Sequence, residues 1–555
     1  MTSDDIRPLG EILSSRERWL LIVSLMVAMF VGAIDQTVVS TATPSILADL
    51  GGFGLLSWMF TSYMLASTVV IPLVGKLSDI YGRKLFIIAG IILFMLASAA
   101  CGAAPSMVFL IWARAVQGIG GGMIFASVFA SIGDIFPPAE RGKYMGLFTG
   151  TFSLASILGP TVGGFLTDSV DWRWVFYINV PFSLIAIPAI WFNLPMRRGV
   201  RRPKIDFLGA AILSLASVLL LLALVWAGSK YDWTSIEIMG LIGATIVLVG
   251  LFIAQEARHP EPMIPLHLFR NPIFVVANIM VFTLGVGMFG VLAYLPTFVQ
   301  TALGASATAS GIITTPQSLG VLVASIIGGQ LISRTGKYKI FTIVGSAIVV
   351  GCMAALSRLD VDTSKLVISL NMVVLGVGFG LVMPTMSLVV QNAVPYQYLG
   401  VASSSSQFFR QIGTVLGTAV FGTVLATTYH SAFSNQLSQA DREILPPAII
   451  QEFNDPTLAL DKPTFEKVKA EVRALSATDG ERILADAEAA QKEGVAVAIR
   501  RIFLASFAVA MLTLLLSFLM KETPLRRDFK NIEPGKEGQP AADGIEFDAP
   551  PAVGH

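Results

Sequence analysis

The chain has 555 residues, 54% of them hydrophobic and 14% charged, with a mean hydropathy of +0.72. Soluble domains carry roughly 25% charged residues, so most of this chain lies in lipid. A net charge of +1 argues against a nucleic-acid partner, which a basic stripe would be needed to bind, and no metal-ligand cluster, nucleophile elbow or phosphate loop in the sequence points to enzyme chemistry.

A membrane-crossing helix needs about 20 mostly apolar residues. Runs of that length begin near Trp19, Leu55, Leu85, Ser106, Lys143, Val175, Phe207, Ile236, Ile273, Ala309, Ile340, Lys365, Gly400 and Val497. The first contains Asp35 and Pro44 and has no small-residue cleavage pattern, so it reads as a span and not as a removable signal peptide. Between the second and third runs lies Gly75-Lys-Leu-Ser-Asp79-Ile-Tyr-Gly82-Arg83-Lys84, and a degraded copy, from Gly329 through Ser333 to Tyr338, recurs 254 residues later in an equivalent gap. The chain is therefore a duplication, the first six runs pairing with the last six and those near Phe207 and Ile236 forming an inserted hairpin. The predicted fold is an all-α integral membrane protein of two six-helix bundles plus two inserted helices, fourteen spans in all. Two facing copies of one bundle are how many transporters form a substrate site at the bilayer midplane.

The expected organisation is an N-terminal segment 1–17, a first bundle 18–195, a linker with two extra spans 196–265, a second bundle 266–528 interrupted by an insertion at 429–498, and a disordered tail 529–555. The basic loops alternate: Arg16/Arg18, Lys76/Arg83/Lys84, Arg141/Lys143, the cluster from Arg197 to Lys204, Arg258/Arg270, Arg334/Lys337/Lys339 and Arg526/Arg527 fall on one side. The positive-inside bias makes that side, with both termini, cytoplasmic. Between Asp441 and Glu493 there are seven basic and twelve acidic residues, which suits the outer face. Within this insertion Pro446-Pro447 and Asp455-Pro456 read as turns, and 463–475 and 480–498 as helices. Cys101 and Cys352 lie in apolar runs and are expected to be core thiols.

Asp35 lies deep in the first span, where a charged carboxylate costs on the order of 2.5–3.5 kcal/mol and is rarely left without a partner or a task. Arg114 in the fourth span is its natural counter-ion, followed at helical spacing by Gln117, Gly118, Gly121, Gly122 and Phe125. The pair either pins two helices together or carries a proton, since an arginine beside a carboxylate governs its protonation. The four histidines, His259, His267, His430 and His555, fall outside the spans, so a proton relay must use carboxylates. On the thirteenth span Ser403, Gln407, Arg410, Gln411, Thr414 and Thr418 form one helical face. Such a stripe serves either interhelical hydrogen bonds or a cavity wall, and the mid-span cation Arg410 favours the cavity. The string from Gly146 through Ala155, Gly159 and Pro160 to Gly163 and Gly164 predicts a kinked span that packs closely on a partner.

These strings resemble known signatures. The 75–84 segment resembles the loop signature of the major facilitator superfamily, Arg114-Ala-Val-Gln-Gly118-Ile-Gly120 its fourth-helix motif, and the 146–164 string its antiporter motif. The stretches around Asp35-Gln-Thr37, Trp172-Arg173-Trp174 to Asn179-Val-Pro181, and Lys521-Glu-Thr-Pro-Leu-Arg526 look like the fourteen-span EmrB/QacA branch of drug:proton antiporters. Departures are Ala155 for a usual Gly, Ser333 for the acid of the second loop, and Ser40 for Asn. The resemblance implies alternating access without metal or cofactor, driven by the proton gradient. It also implies an inward gate at Gly75, Asp79, Gly82, Arg83 and Lys84, with coupling at Asp35 and Arg114.

For substrates, Gln117, Phe125, Tyr294, Gln407, Arg410, Gln411 and Thr414, with Tyr63, Phe289 and several methionines, suggest a broad cavity for amphipathic or cationic compounds. The competing readings are export of lipids or envelope amphiphiles using the outer insertion, and a membrane anchor or sensor whose insertion docks an extracytoplasmic partner.

Overall fold

The computed structural model describes residues 9–52, 55–196, 205–228, 230–456, 458, 462–475 and 479–525. The 197–204 basic cluster, Arg526 and Arg527, and the 529–555 tail lie outside the described residues. Fourteen helices are long and apolar enough to cross a membrane. They are α1 (Ser15–Leu50), α2 (Leu56–Tyr81), α3 (Arg83–Gly102), α4 (Met107–Ile135), α5 (Pro138–Ser169), α6 (Trp174–Asn193), α7 (Phe207–Trp226), α8 (Ile236–Glu256), α9 (Pro272–Ala302), α10 (Ala309–Thr335), α11 (Lys339–Leu356), α12 (Lys365–Asn392), α13 (Leu399–Gln436) and α14 (Gly480–Leu519). Their starts follow the local chemistry: Ser14 and Glu17 form a capping box ahead of α1, and Ser106, Asp206, Ser235 and Asn271 accept backbone N–H bonds at the heads of α4, α7, α8 and α9.

The duplication is visible in the packing. Within the first half α1 packs on α5 and α6, α2 on α4, and α3 on α4 and α6; within the second, α9 packs on α13 and α14, α10 on α12, and α11 on α12 and α14. The halves meet reciprocally, α5 against α10 and α2 against α13. The side chains of Lys76, Arg83, Lys84 and Arg141, the Lys143 N–H held by Ser333 and the Tyr338 N–H held by Glu522 mark one end of the bundle, here the basic end.

The inserted hairpin α7–α8 is a lateral element. Leu221 and Leu224 of α7 pack with Val415 and Ala419 of α13, and Met64 and Leu65 of α2 lie against the same cluster, so α7 fills the seam between the halves. Trp233 Nε1 donates to Thr423 Oγ1 at 2.8 Å and fastens the far end of the hairpin to α13.

The helices expected over 463–475 and 480–498 are present, and the insertion differs from expectation at the end of α13 and at one turn. Helix α13 runs unbroken to Gln436 and α14 begins at Gly480, so 429–436 and 480–498 belong to long helices that project beyond the bundle. Pro446-Pro447 opens a short helix, Pro447–Phe453, because proline at the first helical position lacks only an N–H that would have no partner there. With Gln439–Ile444 and Lys462–Leu475 it forms a cap whose core stacks the rings of Tyr429, Phe433 and Phe453 at 5.9 and 6.1 Å.

Candidate functional site

Asp35 sits in the middle of α1 with no exposed surface, and four helices converge on it. Arg114 Nη1 of α4 donates to its Oδ2 at 2.5 Å, and Oδ1 accepts from Gln117 Nε2 at 2.8 Å and from Asn179 Nδ2 of α6 at 2.9 Å. Ser98 of α3 accepts from both amides, at 2.7 and 3.3 Å. Arg114 also donates to Gln117 Oε1 at 2.7 Å and lies 4.5 Å from the ring centre of Tyr63. A buried ion pair survives in a dry interior only when its remaining hydrogen-bonding capacity is met, and here three donors meet the carboxylate. Asn179 reaches it from the first turn of Asn179–Asn193, which follows the short segment Trp174–Tyr177 through Ile178 in a helical conformation. Asn179 and Ser98 were absent from the sequence-derived site; the signal for Asn179 was its place in the Trp-Arg-Trp string, and Ser98 had none. Gln117, expected at a cavity wall, belongs to this sealed cluster, as do Tyr63 and the thiol of Cys101, whose Sγ lies 3.7 Å from Gln117 Oε1. Phe125 packs against Gly32, one turn from Asp35.

At the basic end the gate residues form an interlock. Asp79 Oδ1 and Oδ2 accept the backbone N–H groups of Gly400 and Val401, both at 3.1 Å, at the head of α13. An anion at a helix N-terminus is favoured by the unpaired N–H groups and the helix dipole. Arg83 pairs with Asp79 and donates to Asp134 Oδ2 at 2.9 Å and Ser78 Oγ at 2.6 Å, so one guanidinium ties α2, α3 and α4. Gly75 faces Gly400 and Ser404 so closely that no side chain fits, and Gly82, at φ 95°, makes the turn between α2 and α3. Lys84 turns away to donate to the Trp191 carbonyl at 2.6 Å.

The 146–164 string divides between two interfaces. Gly146 lies against the Ser325 backbone of α10, across the halves, whereas Gly159 and Gly163 lie against Thr37, Val38 and Thr41 of α1, within one half. Pro160 sits inside α5 between them, and Gly164 faces open space.

The α13 stripe splits as well. Ser403 Oγ accepts from Gln391 Nε2 at 2.8 Å, an interhelical bond. Farther along, Arg410 Nε donates to Gln407 Oε1 of its own helix at 2.9 Å, and Thr414 and Thr418 bond their own backbone at 3.0 Å each. Among the described residues no side chain of another helix hydrogen-bonds Gln407, Arg410, Gln411 or Thr414. Tyr294 of α9 is half-buried beside this face, its OH 3.5 Å from the Thr418 carbonyl.

Fourteen membrane-length helices in two reciprocal halves, locked together at one end and enclosing a sealed acid–base pair, define a multi-pass membrane transporter and not an enzyme. The chain belongs to the Major Facilitator Superfamily, which its residues 25–418 match as a family. It is 42% identical over 410 residues, 74% of this chain and 75% of the relative, to the multidrug transporter protein MdtP of Bacillus subtilis. It is also 38% identical over 421 residues, 76% of this chain and 81% of the relative, to multidrug resistance protein 3 of the same organism. The human organic anion transporter MFSD10 superposes with a TM-score of 0.57 at 15% identity, covering 89% of this chain and 99% of that one, a likeness of fold alone.

Proposed function

We propose that the protein exports amphipathic compounds, drug-like molecules among them, in exchange for protons by alternating access, with the basic end and both termini facing the cytoplasm. The carrying observation is the Asp35 cluster. A carboxylate with one arginine and two amide donors, sealed from solvent and shared by four helices, is a group whose protonation must rearrange its surroundings. Each proton that enters supplies about 2.3 kcal/mol per 100 mV before any pH gradient is counted. The interlock of Asp79 with α13 acts as the inner gate, closed in this conformation. The two bacterial relatives, a multidrug transporter and a multidrug resistance protein, support drugs as substrates.

Drug export is preferred to lipid export on the names of the two bacterial relatives; the cavity beside the insertion, about 550 Å³, mixes Arg482, Asp486 and Lys492 with Val361, Ala489 and Ala490 and offers no continuous apolar groove for an acyl chain. The test is transport by the purified protein in liposomes with an imposed pH gradient. Wild-type protein accumulates a drug-like dye and Asp35→Asn does not, while still binding it. Full gradient-driven accumulation by Asp35→Asn would reduce Asp35 to a helix-pairing residue.

A further inference from the structure

We infer that Arg410 is the recognition group for an anionic amphiphile in the space between the two halves. The inference rests on the proposed export function and names the substrate class of that site.

The charge inventory comes first. Helices α9 to α13 contain no Asp or Glu, and the acids of α14, Glu481, Asp486, Glu488 and Glu493, all lie in its projecting first third. In the other half the deep acid, Asp35, has no exposed surface and both its oxygens are engaged. An apolar cation would need an accessible acid, and Asp35 is sealed. Among the described residues of the second half, Arg410 is the charge that lies deep in a span without an acid beside it; Arg500 and Arg501 lie near the projecting part of α14, where Arg500 pairs with Glu493 at 2.7 Å.

Arg410 is also incompletely satisfied. Of the five N–H donors on a guanidinium, the described structure uses Nε alone, in its bond to Gln407. Among the described residues its terminal nitrogens have no hydrogen-bond partner, and they are not among the sealed polar atoms, so they keep accessible surface. That surface is interior, because α13 is surrounded by α9, α14, α12, α2, α4 and α7. A planar fork of free donors matches a carboxylate or sulfonate in bidentate fashion.

The rest of the face suits the body of such a ligand. Gln411 and Thr414 continue the stripe, and Thr418 lies about 12 Å along the helix from Arg410 at about 1.5 Å per residue. There Tyr294 stands edge-to-face with Phe289 at 6.5 Å. An acid group at Arg410 places an aromatic body on that pair. Export of an anion also moves with an inside-negative membrane potential, so the driving force adds to that of proton entry.

The test is equilibrium binding without a gradient, using the full chain in lipid nanodiscs and empty nanodiscs as the partition control. The probes are radiolabelled 1-naphthylacetate and 1-naphthylmethylamine, which share one ring system and differ in charge. Wild-type protein should bind the acid at least tenfold more tightly than the amine. Arg410→Gln should weaken the acid about tenfold or more and leave the amine unchanged or stronger, with Arg410→Lys in between. Equal or tighter binding of the amine by wild-type protein overturns the inference without any substitution. Equal loss of both probes in a monodisperse Arg410→Gln protein overturns it too, making Arg410 structural. Arg410-dependent acid binding in a protein that shows no pH-driven transport would instead refute proton coupling and leave this inference standing.

Discussion

Asp79 on α2 and Ser333 on α10 are equivalent residues of the two halves, 254 positions apart, and each reaches across to the first turns of a helix in the opposite half. Asp79 accepts two N–H groups at the head of α13, and Ser333 Oγ accepts the Lys143 N–H of α5 at 3.0 Å. Gly75 and Gly329 give each contact its close backbone approach. The latch is symmetric in position and asymmetric in chemistry. Hydrogen bonds to a charged group contribute about 1.5–3 kcal/mol, and neutral ones about 0.5–1.5. Asp79→Ala should therefore open the basic end far more than Ser333→Ala, roughly tenfold in the rate at which a cysteine at position 404 is labelled. Equal rates for the two variants would show that the charge at Asp79 contributes nothing to closure.

Asn179 supplies one of three donors to Asp35, and a hydrogen bond to a charged group contributes about 1.5–3 kcal/mol. Asn179→Ala should therefore lower the thermal unfolding midpoint of the purified protein and reduce gradient-driven export. Ser98→Ala should do less of both, because Ser98 touches the carboxylate only through the two amides. Unchanged stability and export in Asn179→Ala would show that its bond to Asp35 contributes nothing.

The spans, the duplication and the Asp35–Arg114 pair were legible because each leaves a local signature: apolar length, a repeated loop, a charge where lipid forbids one. What joined Asn179 and Ser98 to Asp35 was not legible. Asn179 meets Asp35 across 144 residues and Ser98 meets Gln117 and Asn179 across 19 and 81, and nothing local marks which polar side chains a bundle will bring together. Gln117 shared a helical face with residues expected to line a cavity, but face alone does not tell a sealed polar cluster from an open wall. At the insertion, 463–475 and 480–498 read as helices and are helical, the second continuing into α14, whereas the polar end of α13 past 428 read as loop because it lies beyond the apolar window.

The antiporter string predicts three different outcomes from three glycines. Gly146→Ala places a methyl group against the Ser325 carbonyl across the halves, so it should favour the conformation with α5 and α10 apart and raise labelling at the basic end. Gly163→Ala meets Thr41 and Val38 within one half and should destabilise the protein by about 1–3 kcal/mol in every conformation. Gly164→Ala meets nothing within 4 Å and should be neutral. Thermal unfolding measured beside cysteine accessibility separates the three; a uniform loss of stability would mean the string has one structural task.

The insertion should unfold separately from the transport machinery. Phe453 is fully buried, but its neighbours are Tyr429 and Phe433 of the projecting end of α13, and Tyr429 OH donates to the Phe453 carbonyl at 2.6 Å. Phe→Ala in such a site costs about 3–5 kcal/mol, a large loss for a small cap whose remaining buried side chains are Leu445, Ile449, Leu458, Val468 and Val472. Phe453→Ala should therefore admit protease between 445 and 475 from the outer side of intact cells, while dye export stays within about twofold of wild type, because Asp35, Arg114 and the α13 stripe lie elsewhere. A cysteine at position 470 should react with an impermeant thiol reagent from that same side, and one at position 200 should not. Loss of export in step with cleavage would make the insertion part of the transport cycle, and labelling at 200 but not 470 would invert the proposed orientation.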